Sequence, residues 1–157
     1  MARCPSMSHV LERVQTVAAP RAAVFAFFSD AGNLERLTPP SLRFSILTPT
    51  PIEMRPGAVI DYRISLLGVP FKWRTIIEAF EPEARFVDVQ ASGPYRTWRH
   101  THTFSDAPGG GTIIRDHVEY ELPFGPLGVI VRALFVRRQL DTIFDYRRRA
   151  IHDRFGS

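Results

Sequence analysis

The residues best suited to chemistry in this chain are two histidines and one aspartate on neighbouring predicted strands. His100 and His102 are separated by one residue, so a β-strand places both imidazoles on the same face. Asp116 lies on the next predicted strand, after a glycine-rich turn. If this hairpin pairs Phe104 with Thr112, His100 stands directly opposite Asp116. The pattern predicts a small polar group on an otherwise apolar wall.

Several interpretations of this group stay open. His100 and Asp116 could form a buried polar pair that fixes the strand register. With Tyr62 and Tyr120, the group could instead orient a mostly apolar ligand that carries one or two oxygens. Either histidine could act as a general base, with Asp116 fixing the imidazole tautomer, as an aldol-type cyclisation or a dehydration requires. The predicted ligand-contacting side chains are Tyr62, Trp73, Trp98, His100, His102, Asp116, Tyr120 and Phe135.

A metal ion is a further interpretation of the same side chains. The His100-x-His102 spacing offers two imidazoles on one strand face, and Asp116 would supply a third ligand. Such spacing is common by chance, so we expect neither a metal nor another cofactor.

The elements that must position these residues are mostly strands. Alternation of apolar and polar residues predicts seven of them: 9–17, a second through Leu42, Phe44 and Ile46, then 60–66, 71–79, 85–90, 95–104 and 112–122. Two short helices, 21–29 and 31–37, begin after Pro20 and at Asp30, between the first and second strands. The later connections are too short for helical crossovers, which predicts antiparallel pairing.

One long helix, from Pro126 to Phe155, is predicted to cover the sheet. An apolar stripe recurs at three- and four-residue steps through Val129, Ala133, Val136, Leu140, Ile143, Phe144 and Ile151. The first half of the helix is apolar nearly all round. That half is expected either to be buried or to close over a ligand cavity, and the sequence leaves both possibilities open.

Composition limits the remaining possibilities. The chain has 157 residues, 45% of them hydrophobic, which predicts one domain over residues 9–157 and disorder in residues 1–8. A single cysteine and no apolar run long enough for a signal peptide or a membrane span indicate the cytoplasm and no stable membrane insertion.

Charge points to no particular partner. The net charge of +4 comes almost entirely from arginines, many of them in the last helix: Arg137, Arg138, Arg147, Arg148, Arg149 and Arg154. Aspartates at four-residue spacings predict a solvated, paired face, and nucleic-acid binding is not expected because no recognition motif accompanies the cluster.

The order of these elements resembles the helix-grip fold of the START-like, Bet v 1-like superfamily, and in particular its polyketide cyclase, dehydrase and lipid transport proteins. Local features of the resemblance are Ala19-Pro20 before Val24-Phe25, Gly57, Glu81-Pro82, Phe86 and Gly111-Thr112. It covers about residues 9–155.

The resemblance implies an α+β fold, with a curved seven-stranded antiparallel sheet wrapped around the C-terminal helix and a cavity between them. It implies a small hydrophobic or aromatic metabolite or lipid as ligand, but no family-wide catalytic motif. A binding protein is the first expectation. A cyclase or dehydratase using His100 or His102 with Asp116, and a protein-interaction module, are the alternatives, and neither the ligand nor the oligomeric state follows from the sequence.

Overall fold

Seven antiparallel strands form one curved sheet in the spatial order β1-β7-β6-β5-β4-β3-β2. The computed structural model describes residues 8–157. The predicted disorder of residues 1–8 lies outside that range except for Ser8, which belongs to neither strand nor helix. The strands are β1 (His9–Val17), β2 (Ser45–Ile46), β3 (Val59–Leu66), β4 (Val69–Glu81), β5 (Arg85–Ser92), β6 (Thr97–Asp106) and β7 (Thr112–Glu121).

The helices lie where the sequence predicts them. Helix α1 (Arg21–Phe28) is followed by two 3₁₀ helices, Ala31–Leu37 and Pro40–Leu42. Asp30 caps the first of these, since its Oδ1 accepts a hydrogen bond of 2.9 Å from the Gly32 N–H. The C-terminal helix runs from Pro126 to Phe155 as α2 (Pro126–Val131), a π-helical turn (Arg132–Val136) and α3 (Arg137–Phe155). This is the helix-grip architecture.

The second strand is shorter than predicted. Leu42 belongs to a 3₁₀ helix, and Arg43 after it adopts a left-handed backbone conformation with φ 47°. A residue in that conformation interrupts an extended strand, so only Ser45 and Ile46 pair with β3. The alternation of Leu42, Phe44 and Ile46 therefore reflects burial in two different elements.

The predicted register of the β6–β7 hairpin is wrong by two residues. Thr112 pairs with Asp106 instead of Phe104, because the strands continue to a tighter turn that is closed by a 2.8 Å bond from Ala107 N–H to the Gly111 carbonyl. His102 consequently stands opposite Asp116, and His100 opposite Val118. Side chains alternate with period two, so this shift keeps every residue on its predicted face.

The core lies between the sheet and α3. Leu140 and Phe144 pack in one cluster with Trp73, Val118 and Tyr120 from the sheet. Ile151, about two turns after Phe144, packs in a second cluster that also contains aromatic residues of α1. All three helix residues are at most 5% exposed. The C-terminal half of the predicted stripe, from Leu140 to Ile151, is therefore the apolar contact between the helix and the sheet.

The start of that stripe is not buried, contrary to prediction: Val129 is 40% exposed, and Val136 is only half-buried. The neighbouring apolar residues off the stripe, Leu127, Ile130 and Leu134, are each more than half exposed. The π-helical turn explains the difference: its wider turn rotates everything before it relative to α3, so Gly128 rather than Val129 faces the protein. A continuous 3.6-residue period cannot anticipate that rotation. Within residues 8–157, no helix combines the length and the apolarity needed to span a membrane.

Leu140→Ala should lower the free energy of unfolding by about 2–5 kcal/mol, because it removes a fully buried side chain and leaves a cavity. Leu134→Ala, on the exposed face of the same helix, is the matched control and should change it by about 0.5 kcal/mol or less. Urea denaturation of both variants measures the two values. Equal losses would contradict the helix orientation described above.

Candidate functional site

A cavity of about 160 Å³ lies between the inner face of the sheet and α3. Its upper wall is aromatic, with Tyr62, Trp73, Tyr95 and Trp98 in contact with one another at ring-centroid distances of 4.8–5.7 Å. Trp73 is 5% exposed, and its Nε1 donor has no hydrogen-bond partner among the described residues. A buried donor without a partner costs free energy.

The predicted site residues divide into two groups. Tyr62, Trp73, Trp98, His100 and His102 line the cavity. The other three do not, and their expected contact with a ligand needs correction.

Asp116 lies behind the two imidazole rings instead of facing the cavity, because it stands on β7, one strand further from the cavity's centre. Tyr120 is 2% exposed, and its hydroxyl oxygen accepts a 3.1 Å hydrogen bond from Arg132 Nε. Phe135 belongs to the rotated helix start and is 49% exposed. Tyr120 supports the wall, and Phe135 is a surface residue.

Three adjacent strands bring the polar group together. Asp88 on β5 is paired in register with His100 on β6, and His102 is paired with Asp116 on β7. The hydrogen bonds run diagonally across these pairs. His102 Nε2 lies 2.6 Å from Asp88 Oδ2, and His100 Nε2 lies 2.8 Å from Asp116 Oδ1. The two imidazoles stack with centroids 3.7 Å apart.

Arg147 on α3 completes the group from the opposite side. Its guanidinium Nη2 lies 3.2 Å from Asp116 Oδ1 and 3.3 Å from His102 Nδ1. Its side chain also rests over the ring of Phe28, at 4.9 Å. The sequence assigned Arg147 to a solvated arginine face, and the structure buries it to 8% exposure. We call Asp88, His100, His102, Asp116 and Arg147 the polar cluster.

The two histidines differ in protonation. Burial and the adjacent charge of His102 lower the pKa of His100 to about 4, so His100 is neutral at pH 7. Burial also disfavours charge on His102, but the hydrogen bonds to Asp116 and Asp88 outweigh it and raise the pKa of His102 above its usual value. Two neighbours with opposite shifts provide a hydrogen-bond acceptor and an acid side by side.

Both carboxylates stay ionised despite burial. For Asp116, the charge of Arg147 and the hydrogen bonds from both imidazoles hold the pKa well below its usual range. For Asp88, the hydrogen bond from His102 and nearby positive charge offset burial and lower the pKa. Arg147 brings one full positive charge to the two carboxylates, and both imidazoles lie within hydrogen-bonding distance of them. This compensation is how the polar cluster is accommodated in an apolar core.

Asp116 Oδ1 lies close to three other members of the polar cluster: it is 2.8 Å from His100 Nε2, 3.2 Å from Arg147 Nη2 and 3.4 Å from His102 Nδ1. Asp116 thus acts as the anchor of the polar cluster.

Two members of the polar cluster were missed by sequence reasoning, although a signal existed for each. Arg147 lies three residues after Phe144 and four before Ile151, on the buried stripe itself. Asp88 shares the strand parity of Phe86, which faces the core. In each case the charged residue type concealed a core position that periodicity indicates.

Comparison with known proteins agrees with this fold. Residues 17–144 match the family described as polyketide cyclase / dehydrase and lipid transport. A START superfamily protein from Mycobacterium smegmatis superposes with a TM-score of 0.69 at 13% identity, covering 94% of this chain and 97% of that one. Norcoclaurine synthase from Thalictrum flavum, a point mutant in complex with a transition-state analogue, gives 0.66 at 16% identity, covering 97% and 99%.

A third structure has higher identity over a shorter stretch. It is a nucleoside-diphosphate sugar epimerase from Corynebacterium glutamicum, 30% identical with a TM-score of 0.54. The match covers 69% of this chain but only 24% of the epimerase. No curated protein sequence matches significantly.

The two histidines should titrate separately in ¹⁵N NMR spectra. His100 is expected to remain neutral until the pH falls to about 4, and His102 to stay protonated above pH 6.5. In urea-unfolded protein both should titrate at about 6.5. Coincident titration of the two residues in the folded protein would contradict the assignment.

The pKa shifts of His100 and His102 make the stability of the fold depend on pH in opposite directions. The contribution of His102 is present below its unfolded pKa and is lost as the pH rises through its raised folded pKa. The contribution of neutral His100 is present above pH ~6.5 and is lost as the pH falls towards 4.

Arg147→Met should destabilise the fold by about 3–5 kcal/mol, because it leaves an uncompensated negative charge in the core. Arg149→Met, two residues along the same helix and exposed, should cost about 0.5 kcal/mol or less. Guanidinium chloride denaturation at pH 7 distinguishes the two. Similar stabilities would show that Arg147 does not compensate buried charge.

Proposed function

The chain belongs to the polyketide cyclase/dehydrase and lipid transport family, and on that premise we propose that it binds one small, largely apolar metabolite in the cavity beneath α3. The observation that carries the proposal is the chemical division of the cavity wall. One side is aromatic around Trp73, and the other presents Asp88, His100 and His102. This division favours a ligand with an apolar body and a polar end.

The hydrogen-bonding capacity of the wall narrows the ligand further. The Nε2 atom of His100 is engaged with Asp116, so its Nδ1 remains as an acceptor near Asp88. The unpartnered Trp73 N–H would provide a donor from the aromatic part of the wall. A planar or aromatic molecule with a hydroxyl group at one end and an oxygen acceptor at the other satisfies both.

The size of the cavity limits the ligand as well. About 160 Å³ of space for atom centres accommodates a compact metabolite, whereas a long acyl chain needs the cavity to open. The half-buried residues Val136 and Ile143 of the C-terminal helix pack against the hydrophobic cluster that contains Trp73. An opening of the cavity for a longer ligand would move these two side chains.

A cyclase or dehydratase is the second candidate function. The observation that favours it is the imidazole–carboxylate pair of His100 and Asp116, with the ring of His102, whose pKa is raised, stacked on that of His100. His102 would act as the general acid and His100 would accept a hydrogen bond from the substrate hydroxyl group. His102→Gln should then abolish turnover while ligand affinity changes less than tenfold. Equal losses of turnover and affinity would contradict the catalytic role of His102.

Intrinsic fluorescence tests the binding function directly. Both tryptophans of the chain, Trp73 and Trp98, line the cavity, so an aromatic ligand there should quench most of the emission at saturation. A panel of hydroxylated aromatic acids and ketones, with fatty acids for comparison, supplies the probes. Ligands are expected among the aromatic compounds, in a 1:1 complex.

Paired variants locate the binding. Ile64→Phe fills cavity space from β3 and should weaken quenching at least tenfold, whereas Leu134→Ala removes an exposed apolar side chain and should leave it unchanged. Melting temperatures establish that both variants are folded. Undiminished binding by Ile64→Phe, or its loss in Leu134→Ala, would contradict a ligand in the cavity.

A further inference from the structure

The polar cluster has the arrangement of a transition-metal site, and we infer that Asp88, His100 and His102 bind a divalent ion such as Zn²⁺ or Fe²⁺ at the cavity wall. The three side chains offer donor atoms that all lie within 4.8 Å of one another. Two imidazole nitrogens and one carboxylate oxygen suit borderline transition ions better than Mg²⁺ or Ca²⁺, which prefer oxygen ligands.

The orientation of the imidazoles supports this inference independently of their proximity. Each ring directs one nitrogen towards Asp116: His100 Nε2 at 2.8 Å and His102 Nδ1 at 3.4 Å. Each ring directs its other nitrogen towards Asp88: His100 Nδ1 at 4.0 Å and His102 Nε2 at 2.6 Å. A second carboxylate that binds the outer nitrogens of metal-ligating histidines is the usual way in which proteins fix such ligands. Asp116 holds that position.

Access and charge are consistent with the same role. Asp88, His100 and His102 line the cavity, so a fourth coordination position would open into it. The ion would take the place of the proton between His102 Nε2 and Asp88. With His102 neutral, the ion, the two carboxylates and Arg147 carry one net positive charge. An anionic oxygen from a molecule in the cavity would neutralise it.

This metal site and the one suggested by the sequence differ in one ligand. The sequence offered Asp116 as the third ligand. Asp116 instead shares its Oδ1 with both imidazoles and Arg147, whereas Asp88 faces the side on which their remaining nitrogens lie. The neighbouring arginine excludes Asp116 as a ligand and suits it as a supporting carboxylate.

Titration of the full-length protein, stripped with a chelator, with Co²⁺ in the absence of any organic ligand tests the site. We expect a 1:1 complex with visible absorption bands, displaced by Zn²⁺. In ¹⁵N spectra, Zn²⁺ should shift the ring nitrogens of His100 and His102, a readout that needs no substitution.

Three variants assign the roles. Asp88→Asn should weaken Co²⁺ binding about 100-fold, and Asp116→Asn, which keeps the three ligands but alters the supporting hydrogen bonds and removes the charge partner of Arg147, about 10- to 100-fold in protein that its melting temperature shows to be folded. His117→Ala removes an exposed histidine paired with Glu12 and should leave binding unchanged. Millimolar affinity of the native protein, Zn²⁺-induced shifts confined to other histidines, or equal binding by Asp88→Asn would overturn the metal site. None of these results bears on aromatic ligand binding.

Discussion

The structure depends on charge compensation at one point beneath the terminal helix, where Arg147 meets Asp116. A carboxylate buried between sheet and helix is tolerated only when an opposite charge lies within hydrogen-bonding distance. Arg147 provides that charge from α3, at 3.2 Å. Arg147 lies on the apolar stripe of α3 between Phe144 and Ile151, so the stripe and the polar cluster meet the sheet on the same face of the helix.

The polar cluster gives the cavity its chemical asymmetry. Aromatic side chains surround Trp73, and His100 and His102 continue the same inner face of the sheet, where Trp98 contacts His100 at a ring-centroid distance of 6.3 Å. The opposite pKa shifts of the two stacked rings follow directly from their partners, since His102 has two carboxylates in hydrogen-bonding reach and His100 has one. The proposed ligand would therefore bind with its polar end towards the imidazoles.

Much of the fold follows from the sequence because burial repeats with a simple period. Alternation along β3 and β4 predicts those strands, and the inner faces of β6 and β7 are correct even though their register is displaced by two residues. Two features break the period. Arg43 has a left-handed conformation, and the π-helical turn rotates the start of the C-terminal helix so that Val129 is exposed. Neither has a local residue signature that periodicity alone detects.

The site is less predictable from sequence than the fold, for a physical reason. Residue type was taken as a guide to burial, which assigned Arg147 to solvent and left Asp88 out of the predicted site. Acidic and basic side chains that compensate each other's charge can be buried together. Such compensation depends on contacts between residues that are far apart in the chain. His100 and His102 were recognised because both their spacing and their neighbours indicated an inner face.

A double-mutant cycle between Arg147 and Asp116 tests the central claim most directly. Arg147→Met and Asp116→Asn each remove one side of the compensation, so the double variant should be more stable than the two separate losses predict. Charge compensation between Arg147 and Asp116 predicts a coupling free energy of about 1–3 kcal/mol between the two substitutions at pH 7. Additive losses, within about 0.5 kcal/mol, would show that the two charges do not support each other and would contradict it.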